Sequence, residues 1–288
     1  MNFKVTHPHY EYLRKKWITR QKAVSEKFMQ NHPDSIRHLT LGGLGGLVLL
    51  TTPGVSMALP IQHHTEPGSI TKTEDKNQLL VESIKDLVPA EARKLSEEEE
   101  LRLSQILSEK LGFIVSAELE GIKLNRSYGL IGGEQHLYRY PGDTLQKHAD
   151  NAADWAMYGP SGIAPGLGAW GYFSSSEAVF TEKDKLRERY YLAVQTFLAP
   201  GFAENVGRYR DFFRFRKMLV INPKTGQAVV AVVGDAGPAE WTGKHLGGSP
   251  EVMHYVGLAS GSRKGPVLYF FINDPEDKIT LGPVKIQN

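Results

Sequence analysis

The sequence predicts an α+β protein, with helices first and a β-barrel after them. Three observations carry this. Residues 77–111 hold apolar side chains at helical spacing between capping signals. From Phe113 onward the apolar runs become short, rich in β-branched and aromatic residues, and punctuated by Gly and Pro. Near the C-terminal end, two apolar runs flank Asn222-Pro223-Lys224-Thr225-Gly226 and deliver Asp235 at the end of the second.

The N-terminal part reads as an export signal. Residues 1–37 hold eight Lys and Arg against three acids, a net charge of +5, and residues 38–58 carry no Asp, Glu, Lys or Arg. The apolar core, 39–50, has the length of a signal-peptide core and is shorter than the roughly 20 residues of a spanning helix. Pro53 and Gly54 follow, then Ser56-Met57-Ala58, which sets the expected cleavage after Ala58 and the signal at 1–58. Left uncleaved, that segment would be the chain's one tie to a membrane. The rest of the chain has 26 basic and 29 acidic residues, a net charge of −3, so no nucleic-acid footprint is expected.

Residues 59–76 lack an apolar period and read as a linker. Leu80, Ile84, Leu87 and Val88 mark a helix over 77–88 that Pro89 ends. Ser96 starts a second helix. Glu97 to Glu100 lie at its positive dipole end, Leu103, Ile106, Leu107 and Leu111 form its stripe, and Gly112 sits at its C-terminus. Short strands are expected over 121–130 and 136–140 around a Gly132-Gly133 turn, so 77–145 forms a helical and β-hairpin region. The barrel domain is placed at 146–288. Within it, 182–197 reads as an amphipathic helix; 211–220, 228–233 and 267–272 read as strands, and Ser249-Pro250-Glu251 as a helix start. The run Arg208 to Lys217 alternates bases with aromatics, as a half-buried strand with a solvated basic face does.

Hydrophobic residues at 41% and charged residues at 23% exclude a disordered chain, and the absence of cysteine excludes thiolate nucleophiles and cysteine metal sites. There is no G-x-S-x-G elbow, and Gly42 to Gly46 lies inside the signal rather than at a phosphate loop. His148 with Asp154, and Glu251-x-x-His254, match no zinc spacing. No metal and no cofactor are therefore expected.

The segment from Met218 to Leu258 resembles the double-psi β-barrel family, which includes rare lipoprotein A-type lytic transglycosylases and the first domain of expansins. Asp235, Gly237, Pro238, Ser249, Gly257 and Leu258 match its D-x-G-P hairpin end and later helix start. Ala236 replaces the usual arginine, and the second aspartate is replaced around Gly247-Gly248. Gly234 to Ala239 and Val267-Leu268-Tyr269 are also similar to family 75 chitosanases, whose glutamate would fall near Lys244. The resemblance implies a six-stranded double-psi-like barrel acting on a cell-wall polysaccharide or peptidoglycan.

The chemistry of glycosidic cleavage suits Asp235. The leaving oxygen needs a proton, and a carboxyl at an apolar strand end has its pKa raised by desolvation. A transglycosylase works with that one acid. A hydrolase needs a second carboxylate, about 5–5.5 Å away to retain or roughly 6.5–9.5 Å away to invert. Glu240, Glu251, Asp143 and Glu134 are the candidates, with Glu240 and Glu251 placed beside Asp235 in the expected catalytic set. Trp241, Trp170 and Tyr172 are the expected sugar platforms, and Gly237 and Ser249 the motif positions at the substrate. The rival expectation is a non-catalytic glycan-binding or expansin-like wall module.

Overall fold

A computed structural model describes residues 67–284. The expected export signal at 1–58 and the first residues of the expected linker lie outside the described residues.

Helices α1 (Pro67–Ile84) and α2 (Glu97–Leu111) open the fold. Helix α1 begins ten residues before the apolar period does. Helix α2 starts where its caps require: Ser96 accepts from Glu99 N–H and Glu99 reaches back to the Ser96 amide. Gly112 ends it at φ 74° in the left-handed region. Strands β1 (Val115–Ser116), β2 (Glu118–Leu119), β3 (Ile122–Lys123) and β4 (Tyr128–Gly133) follow. Gly132 and Gly133 end β4 rather than forming a turn, and His136 makes only a single bridge, to Ile163.

A long loop then carries the short helix α3 (Ala152–Tyr158) and leads to α4 (Glu182–Arg189) and β5 (Tyr191–Val194). The single helix expected over 182–197 is thus a helix and a strand. The charged run stays helical behind its Thr181 capping box, whereas all four residues of β5 are buried between two neighbouring strands. Helix α5 (Val206–Phe213) replaces the first half of the strand expected at 211–220. Tyr209, Phe212 and Phe213 are buried at helical i, i+3, i+4 spacing, and Asn205 caps the start. Strands β6 (Lys217–Ile221), β7 (Ala228–Ala236) and β8 (Leu246–Gly248) come next, then helix α6 (Pro250–Tyr255) and strands β9 (Lys264–Ile272) and β10 (Gly282–Pro283).

Six of these strands close on themselves in the order β9-β4-β8-β5-β7-β6 and back to β9. The β4–β8 and β5–β7 pairs are parallel and the others antiparallel, so this is a mixed barrel. It takes β4 from the region before residue 146. Strand β1 adds to β9 and β10 to β7. The period of two along the strands separates two cores. Met218, Val220, Val229, Ala231, Val233, Tyr269 and Phe271 fill the barrel, with α5 and α6 against them. Leu219, Ile221, Val230, Leu268 and Phe270 point outward and pack under Leu80, Ile84, Leu103, Leu107 and Leu111 of α1 and α2. At about 25 cal/mol per Å² of apolar surface, that outer layer is what holds the two helices to the barrel.

Candidate functional site

Asp235 reaches its position through an irregularity in β7. Leu192 pairs with Val233, both in the barrel core, yet the next residue, Ala193, pairs with Asp235. Gly234 is the extra residue, and a bulge of one residue turns every later side chain to the opposite face. Asp235 therefore shares a face with Ala193 instead of following Val233 inward. Its Oδ1 accepts the N–H groups of Ala169, at 2.6 Å, and Ala236, at 2.8 Å. Burial pushes its carboxyl above the usual aspartate range, and those two N–H groups only partly oppose it.

Beside Asp235 the surface is built from small residues. A Cβ on Gly237 would lie 3.9 Å from the Ala193 Cβ, and Ala193 pairs in turn with Gly247. Over Gly247 lies Glu134, so close that a Cβ there would meet its Oε1 at 2.4 Å. Lys244 holds the same Oε1 at 2.7 Å. Asp235 and Glu134 thus flank a row of small residues in which Gly237 is half-buried while Ala193 and Gly247 are buried, Gly247 under the Glu134–Lys244 pair. The buried Tyr191, next in the strand, feels both carboxylates: burial first, then Glu134, Glu188, Asp235 and Glu251, drive its phenol pKa well up. Trp170 packs against the core beside this row and donates its Nε1–H to the Val233 carbonyl.

The other expected site residues are distributed differently. Tyr172 is half-buried in the loop after Trp170. Glu240 and Trp241 lie on a short 3-10 turn, where Trp241 is 81% exposed. Ser249 is fully buried: its hydroxyl donates to the Arg189 carbonyl and caps α6 by accepting from Val252 N–H. Gly237 uses its own N–H on the Val194 carbonyl. Glu251 and Asp143 belong to a second, interior cluster.

That cluster joins His136, Arg139, Asp143, His148, Glu188 and Glu251, all buried. Arg139 grips Asp143 through Nε at 3.0 Å and Nη2 at 2.9 Å, and His148 Nε2 lies 2.9 Å from Asp143 Oδ2. Burial alone would raise Asp143, but the His148 and Arg139 hydrogen bonds outweigh it and hold the carboxyl well below its ordinary range. Burial likewise works to lower His148, yet Asp143 and Glu188 lift the imidazole to about 9. Glu188 receives His136 Nδ1 and His148 Nδ1, each at 3.2 Å, and the Leu137 N–H at 3.0 Å. Glu251, beside them, has one carboxylate oxygen without a hydrogen-bond partner, and burial followed by the Glu188 charge lifts it to about 7.

No local motif announces this cluster, because its members come from the loop, α4 and α6, up to 115 positions apart. The histidine pairings suggested by adjacency, His148 with Asp154 and Glu251 with His254, are not those of the cluster. The one available signal is that His136 and His148 lie in a polar loop and are nonetheless buried, which only the fold reveals.

The helices and the closed mixed barrel define an α+β barrel protein. Profiles of protein families, curated proteins and solved structures all lack a match to this chain.

Proposed function

We propose that this chain is an exported cell-envelope protein that acts on a glycan, with Asp235 as the general acid of glycosidic-bond cleavage. The observation that carries the reading is the Gly234 bulge, which re-aims Asp235 beside a row of small residues while burial raises its pKa. A carboxyl whose pKa is raised by burial, at the partly exposed end of β7 beside Gly237, suits a proton donor to a leaving oxygen. The two parallel pairs inside a closed six-stranded barrel support the double-psi reading of the fold.

Glu134 is the second group best placed for this chemistry. Gly247, beneath its carboxylate, lies two strands from Asp235, roughly 9–10 Å at about 4.8 Å per strand. Lytic transglycosylation, which needs Asp235 alone, is the other form of the same reading. Glu240 stands apart from this row, on the exposed turn with Trp241. The basic stretch and apolar core of 1–58 support export. Among the described residues, no helix is long and apolar enough to cross a membrane. The exposed Trp241 favours a second reading, a binding module that docks sugar rings without cleaving them.

The test incubates the full chain, and its Asp235→Asn and Glu134→Gln variants, with peptidoglycan and with chitosan, and reads released fragments by mass spectrometry. Reducing-end products lost in both variants are the expected result. Anhydro products lost only in Asp235→Asn assign transglycosylation. No products from the wild type, with co-sedimentation retained, would leave the binding module instead.

A further inference from the structure

We infer that His136, His148 and Glu188 form a binding site for one divalent transition-metal ion of the zinc class, which ties the long loop before α4 to the barrel. A donor atom from each of the three lies within 4.8 Å of the other two, and all three residues are buried. His136 Nδ1 and His148 Nδ1 each stand 3.2 Å from a Glu188 oxygen. Two ligands on a tetrahedral zinc with bonds of 2.0–2.1 Å stand roughly 3.3–3.4 Å apart, so each histidine–glutamate pair is at ligand spacing, and the three donors, which span up to 4.8 Å, need draw in only slightly around an ion. Two imidazoles and a carboxylate suit zinc and its neighbours better than magnesium or calcium, which prefer all-oxygen sets.

The surroundings fit the same assignment. Metal-bound histidines commonly give their other ring nitrogen to a carboxylate. His148 does so through Nε2, on Asp143, and Asp143 is fixed in turn by Arg139. With Nε2–H kept on Asp143, binding of the cation at Nδ1 releases the proton that Nδ1 shares with Glu188 in the metal-free protein. A cavity of about 10 Å³, lined by both histidines, Trp155 and Tyr158, adjoins the histidine side of the cluster. Beside Glu188, the buried Glu251 has an oxygen with no hydrogen-bond partner.

The site is closed, so its role is structural. It joins the start of the loop (His136), its middle (His148) and α4 (Glu188). The same loop supplies the Ala169 N–H to Asp235. The assignment does not rest on the glycan reading and is tested without a substrate.

The full chain is unfolded in denaturant with a chelator, exchanged to remove metal, and refolded with and without Zn²⁺. Metal content, competition with a chromophoric chelator and the melting temperature are measured. The expected result is one tightly bound zinc per chain and a higher Tm with metal. Asp143→Asn weakens that equivalent about 10–100-fold, as loss of an outer-sphere carboxylate does. His148→Asn removes it, while a His63→Asn, His64→Asn double variant keeps it. Should the cluster variants fail to fold, the wild type still decides: long-range ¹H–¹⁵N spectra must show two imidazoles becoming metal-bound through Nδ1. Absence of a tight equivalent overturns the site. So does an equivalent that survives His148→Asn, or one that leaves every Nδ1 signal unmoved.

Discussion

Gly234 lies so close to Tyr191 that a Cβ on it would stand 2.6 Å from the Tyr191 Cβ. The contact explains why the residue that flips the face of β7 is a glycine. Strand β5 runs parallel to β7 here, and its largest side chain sits against the bulge. Gly234→Ala must either push Tyr191 off its hydrogen bond to the Gln135 carbonyl or flatten the bulge. The expected cost is about 1–3 kcal/mol of overpacking, read as a lowered denaturation midpoint. Gly207, in α5, has nothing within 4 Å of the equivalent position. Gly207→Ala is expected to leave stability unchanged or raise it, by up to roughly 0.5–1 kcal/mol. Equal losses in both variants would show that the bulge is not packed as described.

Asp235 makes a stability prediction with a defined sign. Its folded pKa is raised by burial, so between its unfolded and folded pKa values the native state holds more protons than the unfolded one. Stability contributed by this group is present below the unfolded aspartate range and declines as pH rises through the folded value. Asp235→Asn removes that decline. The variant is expected to melt higher than the wild type at pH 7, with the gap closing near pH 3, while cleavage of glycan is lost. A variant that melts lower at every pH would mean that the Ala169 and Ala236 N–H groups need a charged partner, contrary to the role of a protonated acid.

How far these features could be read from the residues varies with their range. Asp235 at a strand end, the Ser96 cap and the Ser249 helix start all depend on neighbours within a few positions, and all three stand where the pattern puts them. The face that Asp235 occupies does not, because alternation from Val233 points the wrong way and only the partner strand reveals the extra residue. Glu134 gains its place through Gly247, 113 positions later, so it stood as one acid among four. Helix α5 was obscured because Arg and Phe alternate over Asp211 to Arg216 at the period of a strand, while the buried spacing of Tyr209, Phe212 and Phe213 is helical. In the histidine cluster Arg139, Asp143 and His148 are near neighbours in sequence, but Glu188 and Glu251, which join them from α4 and α6, are not.

Ser249 separates a motif position from a working one. Its hydroxyl is buried between the Arg189 carbonyl and the Val252 N–H, where a glycan has no access. Ser249→Ala is expected to cost about 1–2 kcal/mol through loss of the cap and an unsatisfied carbonyl. Co-sedimentation with peptidoglycan, measured below the melting temperature of the variant, should not change. Weakened binding by a folded Ser249→Ala protein would return the residue to the substrate.

Lys217 governs the acid stability of the end of the fold. At the start of β6, its Nζ lies 2.6 Å from Asp274 Oδ2 and 2.5 Å from Asp277 Oδ1, and it donates to the Ile279 carbonyl. Asp274 also accepts the Lys278 and Ile279 N–H groups, which closes the turn leading to β10. Burial opposes ionisation of Asp274, but Lys217 and those N–H groups prevail and lower its pKa. Hydrogen bonds from Lys183 and then Lys217 bring Asp277 down to about 2. Both carboxylates therefore contribute stability that is complete above the unfolded aspartate value near 4 and is lost as pH falls from there toward 2. Lys217→Ala leaves the half-buried Asp274 without its cation, at an expected cost of about 1.5–3 kcal/mol at pH 7. Much of that difference should vanish only as pH falls below about 2, where both aspartates become protonated in both proteins. A wild-type to variant gap that stays constant from pH 7 to below pH 2 would assign the loss to packing of the lysine stem instead of to charge.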